Sequence, residues 1–396
     1  MSELVAGNTE HTAPANRVYF PALDGIRAAA FLLVFLQHYM WLAWGWSGVN
    51  FFFVLSGFLI TGILIDTRDR PHRIRNFYVR RTLRIFPLYY GILLFLLLLT
   101  PLLHWRWSWH WLAWPLYLGN FLPFLKPTPF HSHEWMDVFG DLRGLPTLYL
   151  GHFWSLCVEE QFYLIWPWIV FRVRSTRTIL WICAITVVAD PLLRVLTLHH
   201  APGWMLDSDL LYRATPFQLD SLLLGALLAV LWRGEHRRLL FVVARVVAVL
   251  CTIAAIGYLA ATLHPTKPHF FSRIFSAAYV YPEWHHTWGL TFINVYAAAL
   301  IVCALVPGSF AYRLFHLSGM RWVGRISYGA YVFHDIPHLL YDGLVKRMVH
   351  HYPWSARLDP RLLIPFIALV STLLIARLSY RFFETPFLNL KERWTR

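Results

Sequence analysis

An arginine and a histidine stand at the two ends of an apolar run, RAAAFLLVFLQH, as Arg27 and His38. In a helix this spacing brings both side chains within about 20° of one face, roughly 16 Å apart along the axis. With Arg27 at the membrane edge, His38 lies about half way through a hydrocarbon core of roughly 30 Å. Ionisable groups at that depth commonly mark a functional site. We therefore predict that Arg27 and His38 belong to one functional site.

Two adjacent carboxylates, Glu159 and Glu160, lie in the apolar segment GHFWSLCVEEQFYLIWPW (151–168). Both side chains cannot readily face lipid, because the flanking aromatic residues give them little polar cover. A carboxylate beside His38 would orient the imidazole and stabilise the imidazolium that forms on proton transfer. The sequence predicts this role for one of the two glutamates and leaves open which one.

The segment TRDRPHRIRNFYVRRTLRIFPLYY (67–90) carries seven arginines. Arg81 and Arg84 are three residues apart at the entrance of the next apolar helix, so they share a helical face. The planar fork of a guanidinium group matches phosphate oxygens, and a pair of forks at a membrane mouth suits a phosphorylated ligand. We predict that Arg81 and Arg84 bind a phosphorylated ligand.

Each of these assignments has a structural alternative. Arg27 can snorkel to the membrane surface while His38 bonds a neighbouring carbonyl group. One of the glutamates can pair with a buried arginine such as Arg194 or Arg213. The arginine-rich segment can serve as a stop-transfer signal that binds anionic lipid headgroups.

The elements that position these residues are membrane-spanning helices, because 58% of the 396 residues are hydrophobic and only 14% are charged. We predict an all-α, polytopic helical bundle of about ten transmembrane helices. Residues 1–22 form a polar cytoplasmic segment, 23–380 the transmembrane domain and 381–396 a cytoplasmic tail. The predicted spans are 23–45, 48–66, 85–103, 152–171, 178–197, 213–232, 239–262, 288–306, 322–343 and 361–380.

The distribution of positive charge sets the predicted orientation. Arginines cluster in short loops that all lie on one side if both termini are cytoplasmic, as the positive-inside rule requires. The net charge of +14 is explained by these loops, so we predict no nucleic-acid partner. Residues 105–125 are predicted to form an interfacial helix, because an extra crossing there would invert every downstream loop. The four cysteines lie in apolar surroundings without CxxC spacing, so neither a disulfide nor a metal site is predicted.

The ordered set of motifs resembles the acyltransferase-3 family of integral membrane acyltransferases. The Arg27–His38 spacing, an RxxR pair and a WSLxxEExFY-like signature carry the resemblance together with four further segments. In chain order the matching segments are LDGIRAAAFLLVFLQH (23–38), NFFFVLSGFLIT (50–61), RRTLRIFP (80–87), HFWSLCVEEQFY (152–163), FQLDSLLLGALLA (217–229), GRISYGAYVFH (324–334) and FFETPF (382–387).

The resemblance implies a multi-pass enzyme of a bacterial cytoplasmic (inner) membrane. Its donor would be cytoplasmic acyl-CoA, with acetyl-CoA the expected form, and its acceptor a hydroxyl of a glycan, lipid or small molecule. In the implied mechanism His38 would act as the general base and Arg27 would steady the donor or the developing negative charge. Arg81 and Arg84 would hold the nucleotide phosphates of the donor. The matching motifs add further cavity candidates: Ser56, Trp154, Ser155, Tyr163, Asp220, Tyr328 and His334. Family members often carry an arginine just before the aspartate of the sixth span, where this chain has Gln218 and Leu219 before Asp220, so we expect Arg213 to compensate.

A transporter or flippase of a lipid-linked or sugar substrate is the alternative function. Buried arginine, histidine and glutamate residues also mark substrate and proton pathways in transporters. Transporter folds often contain inverted repeats with broken helices at the midplane, and the sequence shows no such repeat. The acyltransferase is therefore favoured.

Overall fold

A computed structural model describes residues 19–40, 42, 44–103, 109–122, 149–202, 210–262, 287–351 and 359–395. These residues form helices and connecting turns, with no extended strand among them, which confirms the all-α class. The longer helices of the first part are α1 (Pro21–Met40), α2 (Ser47–Asp66), α3 (Arg73–Leu103), α4 (Trp154–Arg172), α5 (Thr176–His200), α6 (Leu219–Arg233), α7 (Arg237–Thr262) and α8 (Trp288–Ala304). Those that follow are α9 (Phe310–Phe315), α10 (Ser318–Arg325), α11 (Ser327–His334), α12 (His338–His351), α13 (Pro360–Leu378) and α14 (Thr385–Trp394).

Five helices in the described residues are long and apolar enough to cross a membrane. They are Ser47–Asp66, Arg73–Pro101, Thr176–His200, Arg237–Tyr258 and Leu362–Lys391. Along α7, most aliphatic side chains point away from the protein, with Ile253 62% and Ile256 61% exposed. Such a continuous apolar face suits lipid rather than water. The total of about ten spans and the cytoplasmic position of both termini stay predictions.

The predicted ninth span, 322–343, is not one helix. The chain instead forms α10, α11 and α12, with breaks at Ile326 and at 335–337. The second break has a local cause, because Pro337 lacks an N–H and disfavours helical geometry at Ile336 before it. Irregular backbone at membrane depth is tolerated where it lines a protein interior. This break leaves Asp335, at the end of α11, fully inside the protein with 1% exposure.

Two other segments also differ from the predicted outline. The helix that begins at Pro360 does not end at 380, since a π-helical turn (Ser379–Glu384) joins α13 to α14. The part of the predicted interfacial helix 105–125 that the structure describes consists of two short 3₁₀ turns, Trp109–Ala113 and Gly119–Phe121. Trp114 between them is buried in the core at 2% exposure rather than placed at headgroup level.

Helices α2 and α6 cross at a pair of glycines. A Cβ at Gly57 would lie 1.8 Å from the carbonyl oxygen of Leu222, and one at Gly225 would lie 1.9 Å from that of Val54. Only the absence of both side chains allows the two backbones to approach this closely, as in other membrane helix pairs. The crossing fixes the α2 face on which Ser56, the neighbour of Gly57, is presented.

Candidate active site

A cavity opens between α2, α3, α4 and α11 and brings most of the predicted site residues together. Helix α2 contributes a stripe at helical spacing, and the other helices supply the charged and hydroxyl groups. The lining comprises Arg27, Val49, Phe52, Phe53, Ser56, Leu59, Arg81, Arg84, Ile85, Ser155, Leu156, Glu159, Glu160, Tyr163, Ser327, Tyr328 and Tyr331. Segments far apart in the sequence therefore meet around one polar space.

Helix α4 presents Ser155, Glu159 and Tyr163 to the cavity because residues four apart lie on one helical face. The Ser56 hydroxyl donates to Glu159 Oε1 at 2.5 Å, and the Tyr163 hydroxyl donates to Ser56 Oγ at 3.0 Å. Glu160 differs, since its Oε1 is buried without a hydrogen-bond partner in the described part of the chain. One glutamate thus belongs to a hydrogen-bonded chain, and the other has a buried oxygen without a partner in the described residues.

The three arginines of the cavity differ in the side chains that they contact. Arg27 is bound by Asp24, with Nη1 2.5 Å from Oδ1. Arg81 lies over the ring of Tyr163, with Cζ 5.0 Å from the ring centroid. Among the residues that the structure describes, no carboxylate lies within 4 Å of the Arg81 or Arg84 guanidinium group. These two cations are therefore free to hold an anion at the mouth.

His38 does not lie beside the glutamates. It lies in a group that also contains His152, His334 and His338, here called the histidine cluster. Its Nδ1 lies 2.9 Å from His334 Nε2 and 3.5 Å from Asp335 Oδ1. The hypothesis that Glu159 or Glu160 orients the imidazole is therefore wrong for this conformation, and Asp335 is the carboxylate in that position. Asp335 was missed because its place next to His38 depends on the break in the ninth span. The adjacent His334–Asp335 pair before Pro337 was the signal available in the sequence.

The backbone decides which nitrogen of His38 is free. His334 Nδ1 is 2.7 Å from the carbonyl oxygen of Tyr331, so this nitrogen carries the proton and donates. In neutral His334 the Nε2 atom must then accept a hydrogen bond, and within the described residues its partner is His38 Nδ1 at 2.9 Å, which therefore donates. His38 Nε2 is consequently left with its lone pair, as a general base requires.

The cavity stops short of His38. Tyr331 lines the cavity and also packs against the histidine cluster, because its ring centroid lies 5.8 Å from that of Phe52 and 5.4 Å from that of His334. Its hydroxyl oxygen lies 2.5 Å from Ser155 Oγ on the cavity side. The His38 side chain nevertheless retains 29% exposure, so it is not sealed. We refer to Tyr331 and Phe52, which line this end of the cavity, as the aromatic partition between the cavity and the histidine cluster.

Three predicted cavity residues lie elsewhere. Trp154 packs against Phe53 and Tyr212, and His334 belongs to the histidine cluster. Asp220 is 1% exposed and forms a two-point ion pair with Arg194, at 2.7 and 3.1 Å. Arg194, and not Arg213, is thus the arginine that compensates for the missing residue before Asp220. This pairing occupies Arg194, so it does not neutralise a glutamate of α4.

The histidine cluster also contains a possible metal-ligand set in the described residues. Ligand atoms of His38, His334 and Asp335 all lie within 4.8 Å of one another. However, two imidazole nitrogens on one tetrahedral zinc ion, each at about 2.0–2.1 Å from it, are about 3.3 Å apart. The 2.9 Å between His38 Nδ1 and His334 Nε2 is a hydrogen-bond distance. The geometry favours a shared proton.

Comparison with known proteins adds an independent finding. The family model described as "Acyltransferase domain" matches residues 20–381. The peptidoglycan O-acetyltransferase OatA of Listeria monocytogenes is 29% identical over 396 residues, which is 95% of this chain and 57% of that protein. The putative peptidoglycan O-acetyltransferase YrhL of Bacillus subtilis is 30% identical over 379 residues, 93% of this chain and 55% of that protein. The O-acetyltransferase OatA of Staphylococcus aureus is 28% identical over 382 residues, 93% of this chain and 57% of that protein.

The chain therefore spans just over half the length of these relatives. No solved structure matches it significantly. The matched region contains all the residues that line the cavity and the histidine cluster up to Asp335.

Proposed function

We propose a function from one premise, which is that this chain belongs to the family that the Acyltransferase domain model describes. The protein transfers an acyl group, acetyl in the expected case, from acyl-CoA to a hydroxyl group of a cell-wall glycan. The acceptor class follows the relatives, which are named as peptidoglycan O-acetyltransferases. The reaction takes place in the bacterial cytoplasmic membrane, with the donor supplied from the cytoplasm.

Donor binding is assigned to the cavity mouth. Coenzyme A carries a pyrophosphate and a ribose phosphate, and both match the uncommitted guanidinium groups of Arg81 and Arg84. The pantetheine arm then extends along the α2 stripe past Arg27 toward Tyr331. Binding the donor in a narrow, walled space supplies rate by orientation, because the thioester is held at a fixed depth. Glu160 lines the same space.

In the chemical step His38 Nε2 takes the proton of the acceptor hydroxyl as that oxygen attacks the thioester carbonyl carbon. The C–O bond forms, the C–S bond breaks, and the proton passes to the departing sulfur to give free coenzyme A. The partition formed by Tyr331 and Phe52 must move for the thioester to reach His38, through rotation of at least one of the two rings. The acceptor approaches from the side on which His38 is exposed.

The observation that carries this proposal is the contact between His38 Nδ1 and His334 Nε2, which leaves the lone pair of His38 Nε2 free. The adjacent cavity, which Tyr331 separates from the histidine cluster, contains Arg81 and Arg84 without a carboxylate partner in the described residues. A transporter has no need for a base of fixed tautomer at that point. A binding cavity alone would serve either class of protein, so the discrimination depends on thiol chemistry.

The test uses the purified full-length chain in detergent with acetyl-CoA labelled in the acetyl group. We expect release of free thiol that increases with added glycan fragments, and loss of that release by at least about 100-fold in His38→Ala. His199→Ala, at the exposed end of α5, is the matched control and should retain wild-type turnover. A protein that binds acetyl-CoA but releases no thiol under any acceptor condition would be a transporter or a binding protein instead.

A further inference from the structure

Asp335 is a buried carboxylate surrounded by imidazole rings. Its Oδ1 lies 3.5 Å from His38 Nδ1 and 3.3 Å from His338 Nδ1, and its Oδ2 lies 3.6 Å from His152 Nδ1. These distances exceed those of ordinary hydrogen bonds, and neither oxygen has a hydrogen-bond partner in the described residues. A buried carboxylate without donors is costly, so its presence calls for a compensating role.

The contacts of His152 are further evidence that the cluster stabilises a positive charge. Its Nε2 is 3.1 Å from the carbonyl oxygen of Val332, so this nitrogen is the one that donates. In the neutral ring, Nδ1 then turns a lone pair toward Asp335 Oδ2, and that nitrogen also has no hydrogen-bond partner among the described residues. Carbonyl groups hold both His152 and His334 with their bare nitrogens turned into the cluster. The cluster is therefore rich in lone pairs and poor in protons around His38.

From this geometry we propose that Asp335 is the positioning residue of His38. With His334 it holds the His38 proton on Nδ1 and leaves Nε2 free. Its negative charge, 3.5 Å away, stabilises the imidazolium that forms when Nε2 takes the acceptor proton. The proposal rests on the proposed function, because an imidazolium forms at His38 only if His38 is the base.

The negative charge of Asp335 acts on His38 across 3.5 Å without a hydrogen bond. Asp335 also differs from Glu159 in its location. Glu159 is bound to Ser56 in the cavity, on the other side of the partition from the histidine cluster. Asp335 follows His334 directly in the chain, so the acceptor of the His38 proton and the stabilising charge come from one helix end. The break before Pro337 is what allows both to face α1 at the same depth.

The test is a double-mutant cycle on turnover, measured by thiol release from acetyl-CoA. We expect Asp335→Asn, which keeps the side-chain volume, to lower kcat about 100-fold with the KM for acetyl-CoA changed less than about twofold. In a His38→Ala background the same substitution should lower the residual rate less than about threefold, since the charge then has no imidazolium to act on. Asp66→Asn, a carboxylate on the exposed Arg233 pair, is the control and should leave kcat unchanged.

The outcomes separate the two proposals. Equal losses from Asp335→Asn in both backgrounds would make Asp335 merely structural and leave His38 as the base. Full turnover in His38→Ala would remove the proposed function and the role of Asp335 with it. Copurification of one metal ion per chain, lost on Asp335→Asn together with the activity, would overturn the positioning role in favour of a metal site.

A spectroscopic measurement covers the case in which Asp335→Asn does not fold. In wild-type protein with ¹⁵N-labelled histidine, the His38 ring should carry its proton on Nδ1 and show a bare Nε2, with assignment from the spectrum of His38→Ala. A His38 ring that is bare at Nδ1 would refute the proposal directly.

Discussion

Removal of the two free guanidinium groups at the cavity mouth should weaken donor binding in a graded way. Arg81 stacks on Tyr163 and is partly buried, whereas Arg84 is exposed. A charge-assisted hydrogen bond to phosphate contributes about 1.5–3 kcal/mol, which corresponds to about 10- to 150-fold in Kd. Because solvent screens exposed charges, we place Arg81→Ala near the upper end of this range and Arg84→Ala near the lower end.

The increase in Kd for the double variant should be smaller than the product of the increases for the two single variants, because the two groups share one face and one ligand. Isothermal titration of coenzyme A into purified protein at fixed ionic strength measures these affinities. The affinity of the wild-type protein should also fall as salt rises, and the double variant should show a flatter salt dependence. Membrane insertion should be normal, since neither arginine has an ion-pair partner in the described chain to lose.

Arg80→Ala is the matched control. Arg80 precedes Arg81 on α3, but it is not among the residues that line the cavity, and its Nε donates to Oγ1 of Thr395, directly after α14, at 3.0 Å. Its loss should leave the Kd for coenzyme A unchanged. An unchanged Kd in the Arg81 and Arg84 double variant, or an equal loss in Arg80→Ala, would refute the assignment of the mouth to phosphate binding.

Three further predictions follow from the packing and the hydrogen bonds. Glu159→Gln, which removes the charge from the hydrogen-bonded chain of the cavity, should lower kcat about tenfold or more, while Glu160→Gln should be tolerated; equal kcat values for the two variants would contradict this. Asp220→Asn breaks a buried ion pair and should cost about 3–5 kcal/mol in thermal unfolding experiments, against about 1 kcal/mol or less for the exposed Asp66→Asn. Gly225→Leu should prevent the crossing of α2 and α6 and abolish a monodisperse peak in size-exclusion chromatography, and a folded, active variant would refute the close approach.

The positions of the candidate residues follow from the sequence where helical spacing alone determines them. Arg27 and His38 lie on one helix, and their spacing places both toward the same neighbour, α11. Tyr328 of α11 lines the cavity together with Arg27, and His334 of α11 contacts His38. The RxxR pair reaches the cavity for the same reason. Residues fixed by the periodicity of a single unbroken helix can be placed from the sequence, because no tertiary information is needed.

The carboxylate that faces His38 required information that periodicity does not contain. Asp335 reaches the cluster only because the chain leaves helical geometry before Pro337, and a hydropathy profile reads 322–343 as one continuous span. The partner of Asp220 was missed for a related reason. Arg194 lies 26 residues away on a different helix, and which of two nearby arginines faces α6 depends on how α5 and α6 pack.

The partition of Tyr331 and Phe52 has a consequence for the cell that houses the protein. An enzyme that passes a group from one side of a bilayer to the other is at risk of becoming a leak for protons and ions. In the proposed reaction, the cavity assigned to the donor ends at the ring of Tyr331, whose hydroxyl is already bonded to Ser155. On this proposal the same ring would keep the membrane electrically insulated between turnovers and would move aside for the thioester.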